Sequence, residues 1–139
     1  MPKKSRYSGL HGHIAHIKLP LLEAVENIFF GKGYTVTYTY AEFTSICPKT
    51  GLPDFGSLKI EYVPQKFVVE EKSLKLYLVG YRNVGIFKEF AAIKILQDFT
   101  SCVKPKLAKI HAEFAPRGGI PSIVDAQFKN GKISEIIQK

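Results

Sequence analysis

A strict alternation of large and small side chains between residues 33 and 43 most constrains how this chain can fold. The large members of the alternation are Tyr34, Val36, Tyr38 and Tyr40, and threonine or alanine separates them. A period of two places the aromatic and β-branched side chains on one face of an extended strand. Because these residue types favour pleated, half-buried surfaces, the segment predicts a β-strand with one face against a core.

Further segments complete a pattern of strand, strand, helix, helix, strand, strand. The same alternation predicts strands at residues 57–63, 106–115 and 122–128. Residues 70–82 fit either a helix or a strand, and the acidic start of the segment favours a helix. Residues 86–103 carry an apolar stripe typical of an amphipathic helix. This order predicts an α+β layer in which both helices cover one face of an antiparallel sheet.

The connecting segments are predicted from their prolines and glycines. Residues 44–56 are interpreted as one long loop, and residues 116–121 as a turn. Residues 19–30 fit either a short helix or a docked irregular segment. With 139 residues, the chain has the length of one domain, which we place at residues 19–139 behind a flexible basic arm at residues 1–18.

Charge and cysteine content narrow the functional class. The formal net charge of +8 suggests an anionic partner such as a phosphate cofactor or a nucleic acid, or merely a lysine-rich solvated surface. The histidines of the arm, at positions 11, 13 and 16, could bind a metal, but we interpret the arm as flexible and expect no metal site. No apolar run is long enough to span a membrane, and no secretory signal is apparent. Two cysteines suggest a reduced, cytoplasmic protein.

Cys47 and Asp54 are the candidate catalytic pair. Cys47 lies in the proline- and glycine-rich segment just after the first predicted strand, and Asp54 follows seven residues later. A thiolate can attack an electrophile while a nearby carboxylic acid delivers a proton. The alternative is structural, with a small buried cysteine and an aspartate that stabilises a turn.

Four motifs extend this pair to a recognisable family. The segment EFTSICPKTGLPDF at residues 42–55 closely resembles the active-site segment of the NADPH-dependent 7-cyano-7-deazaguanine reductases, the nitrile reductases of queuosine synthesis. EEKSLKLY at residues 70–77, YRN at 81–83 and FAPRGGI at 114–120 are similar to further motifs of this family, in the same order. The resemblance covers roughly residues 27–120.

The resemblance implies the roles of the catalytic and cofactor residues. Cys47 would add to the nitrile carbon and form a covalent thioimide, and Asp54 would protonate the nitrogen. Lys72, Lys75 and Arg117 match positions that meet NADPH, and their charges suit its phosphates. The chain has no G-x-G-x-x-G motif, so binding of the Rossmann type is not expected.

The resemblance also implies how the base is bound. Glu89 matches a glutamate that holds the guanine-like edge of the substrate, and a carboxylate can accept two hydrogen bonds there. Val69, Glu70 and Glu71 match a stretch that contacts the base, partly through its main chain. Lys88 stands where the family usually has histidine, and Glu71 replaces the usual serine or leucine of the cofactor motif.

Two other functions remain as alternatives. Archaeal relatives resemble amidinotransferases that act on 7-cyano-7-deazaguanine in tRNA, where ammonia attacks the same thioimide to give archaeosine. A basic, non-catalytic RNA-binding module is the second alternative, although no aromatic RNA-binding motif is recognisable.

The fold implied by the resemblance is the tunnelling fold. It is a four-stranded antiparallel sheet with two helices between the second and third strands. Proteins of this fold close their sheets into a barrel by oligomerising, so we expect a homo-oligomer, such as stacked pentamers, with active sites at subunit interfaces.

Overall fold

The computed structural model describes residues 17–136, so nearly all of the predicted arm, and its three histidines, lie outside the described residues. The strands are β1 (Ala24–Glu26), β2 (Val36–Ile46), β3 (Pro53–Val63), β4 (Phe67–Val69), β5 (Leu107–Arg117), β6 (Ile120–Lys129) and β7 (Lys132–Glu135). The helices are α1 (Glu71–Val79), a 3-10 turn (Gly80–Asn83) and α2 (Lys88–Val103). No helix within this part of the chain has the length and apolar character needed to cross a membrane.

The strands form two antiparallel sheets. The main sheet has the order β2-β3-β5-β6-β7, and β1 and β4 make a separate two-stranded sheet. Both helices follow β3 and precede β5 in the chain, so they connect the second and third strands of the main sheet, as predicted. The predicted count of four strands misses β7, which is four residues long and follows a tight turn at Asn130 and Gly131.

The core lies between one face of the main sheet and the two helices. From the sheet, buried side chains come from alternate positions of β3 and β5, including Leu58, Ile60 and Ile110. From α2, Ile95 and Phe99 are fully buried, and Phe99 packs edge-on against Tyr62 at 4.9 Å between ring centroids. The strict alternation of the strands thus places one apolar face against the helices, as the sequence indicated.

The opposite face of the sheet is polar. On β5, Nδ1 of His111 is hydrogen-bonded to Asp125 Oδ1 at 2.6 Å. Its Nε2 lies 3.4 Å from Glu113 Oε1. Hydrogen bonding to Asp125 is the main cause that raises the pKa of His111 above its ordinary value, and Glu113 adds to it.

A bulge in β2 changes which side chains of that strand face the core. Tyr40 pairs with Leu58, whereas Phe43 pairs with Gly56, so β2 has one residue more than β3 in this interval. Before the bulge the even-numbered residues are the more buried ones, and after it Phe43 and Ser45 are buried. β2 therefore continues to Ile46 with its phase reversed.

Two predicted boundaries were wrong. The loop predicted at residues 44–56 is only six residues long, because both of its ends extend the β2-β3 hairpin. The turn predicted at residues 116–121 shrinks to Gly118 and Gly119, which both have positive φ angles that favour glycine. In both cases cross-strand pairing overrode local proline and glycine signals. Residues 19–30, which fit either a short helix or a docked irregular segment, form no helix and contain the short strand β1, while Leu19 and Leu22 pack against the core.

The ambiguous segment at residues 70–82 is helical, as predicted. Glu70 caps the N-terminus of α1, since its carboxylate accepts hydrogen bonds from the amides of Lys72 (3.0 Å) and Ser73 (2.6 Å). Leu74 and Leu78 lie on the buried face of the helix, and Leu76 is exposed.

Candidate active site

Cys47 begins a closed six-residue loop that joins β2 to β3. Its amide donates to the carbonyl of Leu52 (2.9 Å), and its own carbonyl accepts from the amide of Gly51 (2.9 Å). Gly51 has a φ of +71°, which a residue without a Cβ adopts at little cost. The loop therefore holds the half-buried Cys47 thiol at a fixed place at the end of the sheet.

The loop supplies hydrogen-bond donors to the thiol. Burial alone raises the pKa of Cys47, but hydrogen bonds from Thr50, from the amide of Lys49 and from Arg117 outweigh it and lower the pKa below the ordinary cysteine value. A lowered pKa increases the thiolate fraction, and the thiolate is the nucleophilic form of cysteine.

Asp54 lies at the start of β3, on the face of that strand that also carries Leu58 and Ile60. Its side chain is only 6% exposed, and Oδ1 accepts a hydrogen bond from Nη1 of Arg117 at 2.9 Å. The charge of Asp54 is the main cause that raises the pKa of Arg117 above its ordinary value. Nη2 of the same guanidinium lies 3.4 Å from the Thr50 hydroxyl.

Ser45 is a buried polar residue next to the candidate catalytic acid, and the sequence analysis did not single it out. It pairs with Asp54 across the two strands, so both side chains lie on the same face of the sheet. Ser45 is fully buried, and within residues 17–136 its hydroxyl has no hydrogen-bond partner.

Lys88 and Glu89 begin α2, and the segment before them is joined to the end of β2. Ile46 donates to the carbonyl of Val84 (2.9 Å) and accepts from the amide of Ile86 (3.0 Å). Lys88 Nζ lies 5.8 Å from the centre of the Phe114 ring, and Glu89 is exposed in the first turn of the helix. These two hydrogen bonds thus anchor the start of α2 beside the Cys47 loop.

Val69, Glu70 and Glu71 lie at the opposite end of β3. The amide of Val69 donates to the hydroxyl of Tyr62 (3.1 Å), near the far end of that strand. Tyr62 and Asp54 are eight residues apart along β3, which is about 26 Å at about 3.3 Å a residue. Within one chain, the predicted base-binding residues are therefore divided between two ends of the sheet.

Lys72 and Lys75 line a groove of about 470 Å³ between α1 and β2. The rings of Tyr38 and Tyr40 form its other side, and Glu71 lies at its rim. The two ammonium groups lie one turn apart on α1. Arg117, predicted to act with them, lies instead beside Asp54.

The structure thus brings Cys47, Asp54 and Arg117 together and leaves Lys72 and Lys75 on a different surface. Thr50 completes the cluster around the thiol, and sequence reasoning overlooked it. Its one signal was a threonine near a glycine in a tight loop, where hydroxyls often bond to the backbone. In residues 17–136, no group of three or more histidine, cysteine or acidic side chains is arranged to hold a metal ion.

Comparison with known proteins gives one consistent family. A family model described as QueF-like protein matches residues 53–132. The NADPH-dependent 7-cyano-7-deazaguanine reductase of Chloroherpeton thalassium is 48% identical over 116 residues, which is 84% of this chain and all of that protein. The enzyme of the same name from Elusimicrobium minutum is 46% identical over 115 residues, 83% of this chain and 86% of that protein.

A solved structure shares the fold. The crystal structure of the archaeosine synthase QueF-Like in the apo form superposes with a TM-score of 0.61 and 22% sequence identity. The alignment covers 73% of this chain and 96% of that one. At this level of identity the likeness establishes the α+β architecture alone.

Proposed function

Because this chain belongs to the QueF-like family of NADPH-dependent 7-cyano-7-deazaguanine reductases, we propose that it reduces the nitrile of 7-cyano-7-deazaguanine to an aminomethyl group. The observation that carries the proposal is the Cys47 loop, in which donors favour the thiolate beside a buried carboxyl group. A nitrile carbon is a modest electrophile, so its reduction needs an activated nucleophile.

In the first step, the Cys47 sulfur bonds to the nitrile carbon and the nitrogen gains a proton. Sulfur loses one proton and nitrogen gains one, so Asp54 can carry that proton from the thiol to the nitrogen. Because Asp54 is in an ion pair with Arg117, it begins as a carboxylate and first acts as a base. The product of this step is a thioimide on Cys47.

The base would be held by residues from two copies of the chain. Lys88 and Glu89 lie near the Cys47 loop, whereas Val69, Glu70 and Glu71 lie near the other end of β3. A second copy that brings its own α1 end to the Cys47 loop would complete the site. Within residues 17–136, β2 pairs only with β3 and its other edge is open, which supports such an assembly because unpaired strand edges favour association.

The groove beside α1 is the proposed binding site for NADPH. Lys72 and Lys75 would bind its phosphate groups, and the rings of Tyr38 and Tyr40 offer flat apolar surfaces for its own rings. NADPH supplies hydride, and two equivalents provide the four electrons that convert a nitrile to a primary amine. The charge of Glu71 at the rim disfavours phosphate close to it, so we place the phosphates toward Lys75.

The amidinotransferase alternative has weaker support. Relatives that are 48% and 46% identical are named as reductases, whereas the archaeosine synthase is 22% identical and matches in fold. An RNA-binding module without catalysis would not require the donors around Cys47.

One assay tests the proposal. Purified protein, 7-cyano-7-deazaguanine and NADPH should consume two molecules of NADPH per base, as followed by absorbance. Without NADPH, intact mass analysis should show an adduct equal to one nitrile molecule. The Cys47→Ala variant should lose both signals, because the sulfur is the nucleophile.

The matched control is Cys102→Ala, which removes the other cysteine of the chain and should retain both signals. NADPH consumption by Cys47→Ala would refute the thioimide. An adduct in the wild type without NADPH consumption, followed by amidine formation with ammonia, would support the amidinotransferase instead.

A further inference from the structure

Arg117 lies in the cluster around Cys47 and Asp54, apart from the groove that Lys72 and Lys75 line. Its Nη1 donates to the buried Asp54 at 2.9 Å, its Nη2 donates to the Thr50 hydroxyl at 3.4 Å, and its proximity helps to lower the pKa of the Cys47 thiol. The candidate nucleophile and the candidate acid thus share one cation. Arg117 is 63 residues from Asp54 in the chain, so this contact depends on the fold alone.

The hairpin between β5 and β6 fixes this position. The pairing of the two strands shifts between Phe114 and Arg117, and Arg117 pairs with Ile120 across the two-glycine turn. Such an irregularity redirects the side chains that follow it. The Arg117 side chain is one-third exposed, whereas that of Asp54 is almost fully buried, so the guanidinium reaches inward from the rim of the site.

We propose that Arg117 is a positioning residue for the nucleophilic step, which orients the Asp54 carboxylate and stabilises the Cys47 thiolate before the cofactor takes part. The inference rests on the proposed function. In the step, the S–H bond and one π bond of the nitrile break, the S–C and N–H bonds form, and the thiol proton travels through Asp54 to the nitrile nitrogen. Arg117 remains protonated throughout and balances the negative charge as it moves from carboxylate to sulfur.

A guanidinium is suited to this task. Its planar array of N–H groups can hold a carboxylate and a second acceptor at fixed angles, and it stays charged at any working pH. A lysine at this position would keep the charge and lose the fixed angles. Arg117→Lys should therefore separate charge from orientation.

The first experiment measures thiol reactivity without substrate. Alkylation of Cys47 by iodoacetamide is followed by mass analysis across pH in the wild type, Arg117→Lys and Arg117→Ala. In Arg117→Ala the midpoint should move to higher pH by about one unit, since a neighbouring opposite charge shifts an ionisable group by about one to three units. Arg117→Lys should fall between the two.

Cys102 is the internal control for folding, because it lies on α2 outside the cluster. Its alkylation should be the same in all three proteins. A wild-type midpoint for Cys47 in Arg117→Ala would overturn the inference. If Arg117→Ala also alters the alkylation of Cys102, the Arg117→Lys variant is used instead. An unshifted Cys47 midpoint in Arg117→Lys, together with a wild-type rate of adduct formation, would also overturn the inference.

The second experiment separates the two roles proposed for basic residues. Arg117→Lys should form the thioimide about tenfold more slowly in the absence of NADPH, because Asp54 is no longer oriented. Lys72→Ala with Lys75→Ala should raise the KM for NADPH. If Arg117→Lys raises only that KM, Arg117 binds the cofactor and the inference fails.

The two proposals fail separately. If the wild type forms no adduct with the nitrile, the proposed function is wrong, while the alkylation profile still tests the role of Arg117. If the wild type forms the adduct and the Arg117 variants form it equally fast, the function stands and the inference is wrong.

Discussion

At Asp54, the two-residue period of a strand determines what the side chain can do. The sequence predicted an acid near Cys47, but placed it in a loop, where it would be solvated. Because β3 begins at Pro53, Asp54 instead lies on the buried face of the strand, under Arg117. Its chemistry is that of a paired, desolvated carboxylate, which spacing in the sequence alone does not determine.

Arg117 shows the limit of motif matching at the same scale. Its motif predicted a basic residue for the cofactor, and the charge alone is compatible with that role. Only the pairing of β5 with β3 and β6 brings the side chain to Asp54. A contact that spans 63 residues leaves no local signal in the sequence.

His111 gives a prediction about pH and stability. Its pKa is raised in the folded protein, mainly by the hydrogen bond to Asp125. The protonated form is therefore favoured by folding, and its contribution is complete below about pH 6.5, the ordinary value, and lost as pH rises through the raised value. His111→Gln should destabilise the protein at about pH 5.5 and have little effect at about pH 9.

Urea unfolding at fixed protein concentration measures the difference between the two proteins at each pH. The reverse order, with the larger loss at the alkaline pH, would show that the Asp125 contact acts through the neutral ring. An equal loss at both pH values would indicate a packing role for His111.

At the scale of elements, α1 illustrates how a helix start resolves an ambiguous pattern. Leu74, Leu76 and Leu78 alternate like a strand, and the sequence favoured a helix on its acidic start alone. The structure adds the reason, which is that the Glu70 carboxylate accepts from two otherwise unpaired amides of the first turn. The loop prediction at residues 44–56 failed for a related reason, because pairing across the hairpin was not visible locally.

Glu70 was predicted to bind the base, and its cap gives that prediction a separate test. Glu70→Ala should lower the free energy of unfolding by about 1 kcal/mol, the usual effect of removing an N-cap. Glu70→Asp should retain most of the stability, since aspartate caps helices well. Chemical unfolding measures the stability that the helix cap contributes, and substrate titration measures the affinity for the base.

The two measurements distinguish the roles of the side chain. Stability retained in Glu70→Asp with a loss of base binding would assign the carboxylate to the substrate as well. No change in stability for Glu70→Ala would show that the first turn of α1 does not depend on this cap.

At the scale of the whole molecule, the fold divides the residues predicted to bind the base between the two ends of β3. Sequence motifs predicted these residues, but they could not reveal that Glu89 and Glu70 lie near different ends of that strand. The expectation of interface sites came from the family resemblance, and the separation of about 26 Å along β3 gives it a physical reason.

The assembly gives the last prediction. In solution the protein should have a mass of at least two times 15.6 kDa, the mass of one chain, as measured by sedimentation or light scattering. On dilution, NADPH consumption per chain should fall together with the fraction of oligomer, because the proposed site takes residues from two copies. A fully active monomer would show that one chain suffices.

The bulge in β2 has a consequence for how this family can vary in length. Even-numbered residues of β2 face the core before the bulge and odd-numbered residues face it after the bulge, and Cys47 directly follows the second part. A gain or loss of one residue between Phe43 and Cys47 would turn Ser45 outward and deliver the thiol to the wrong side of the sheet. Changes by two residues would preserve the side, so viable insertions there should be even in number.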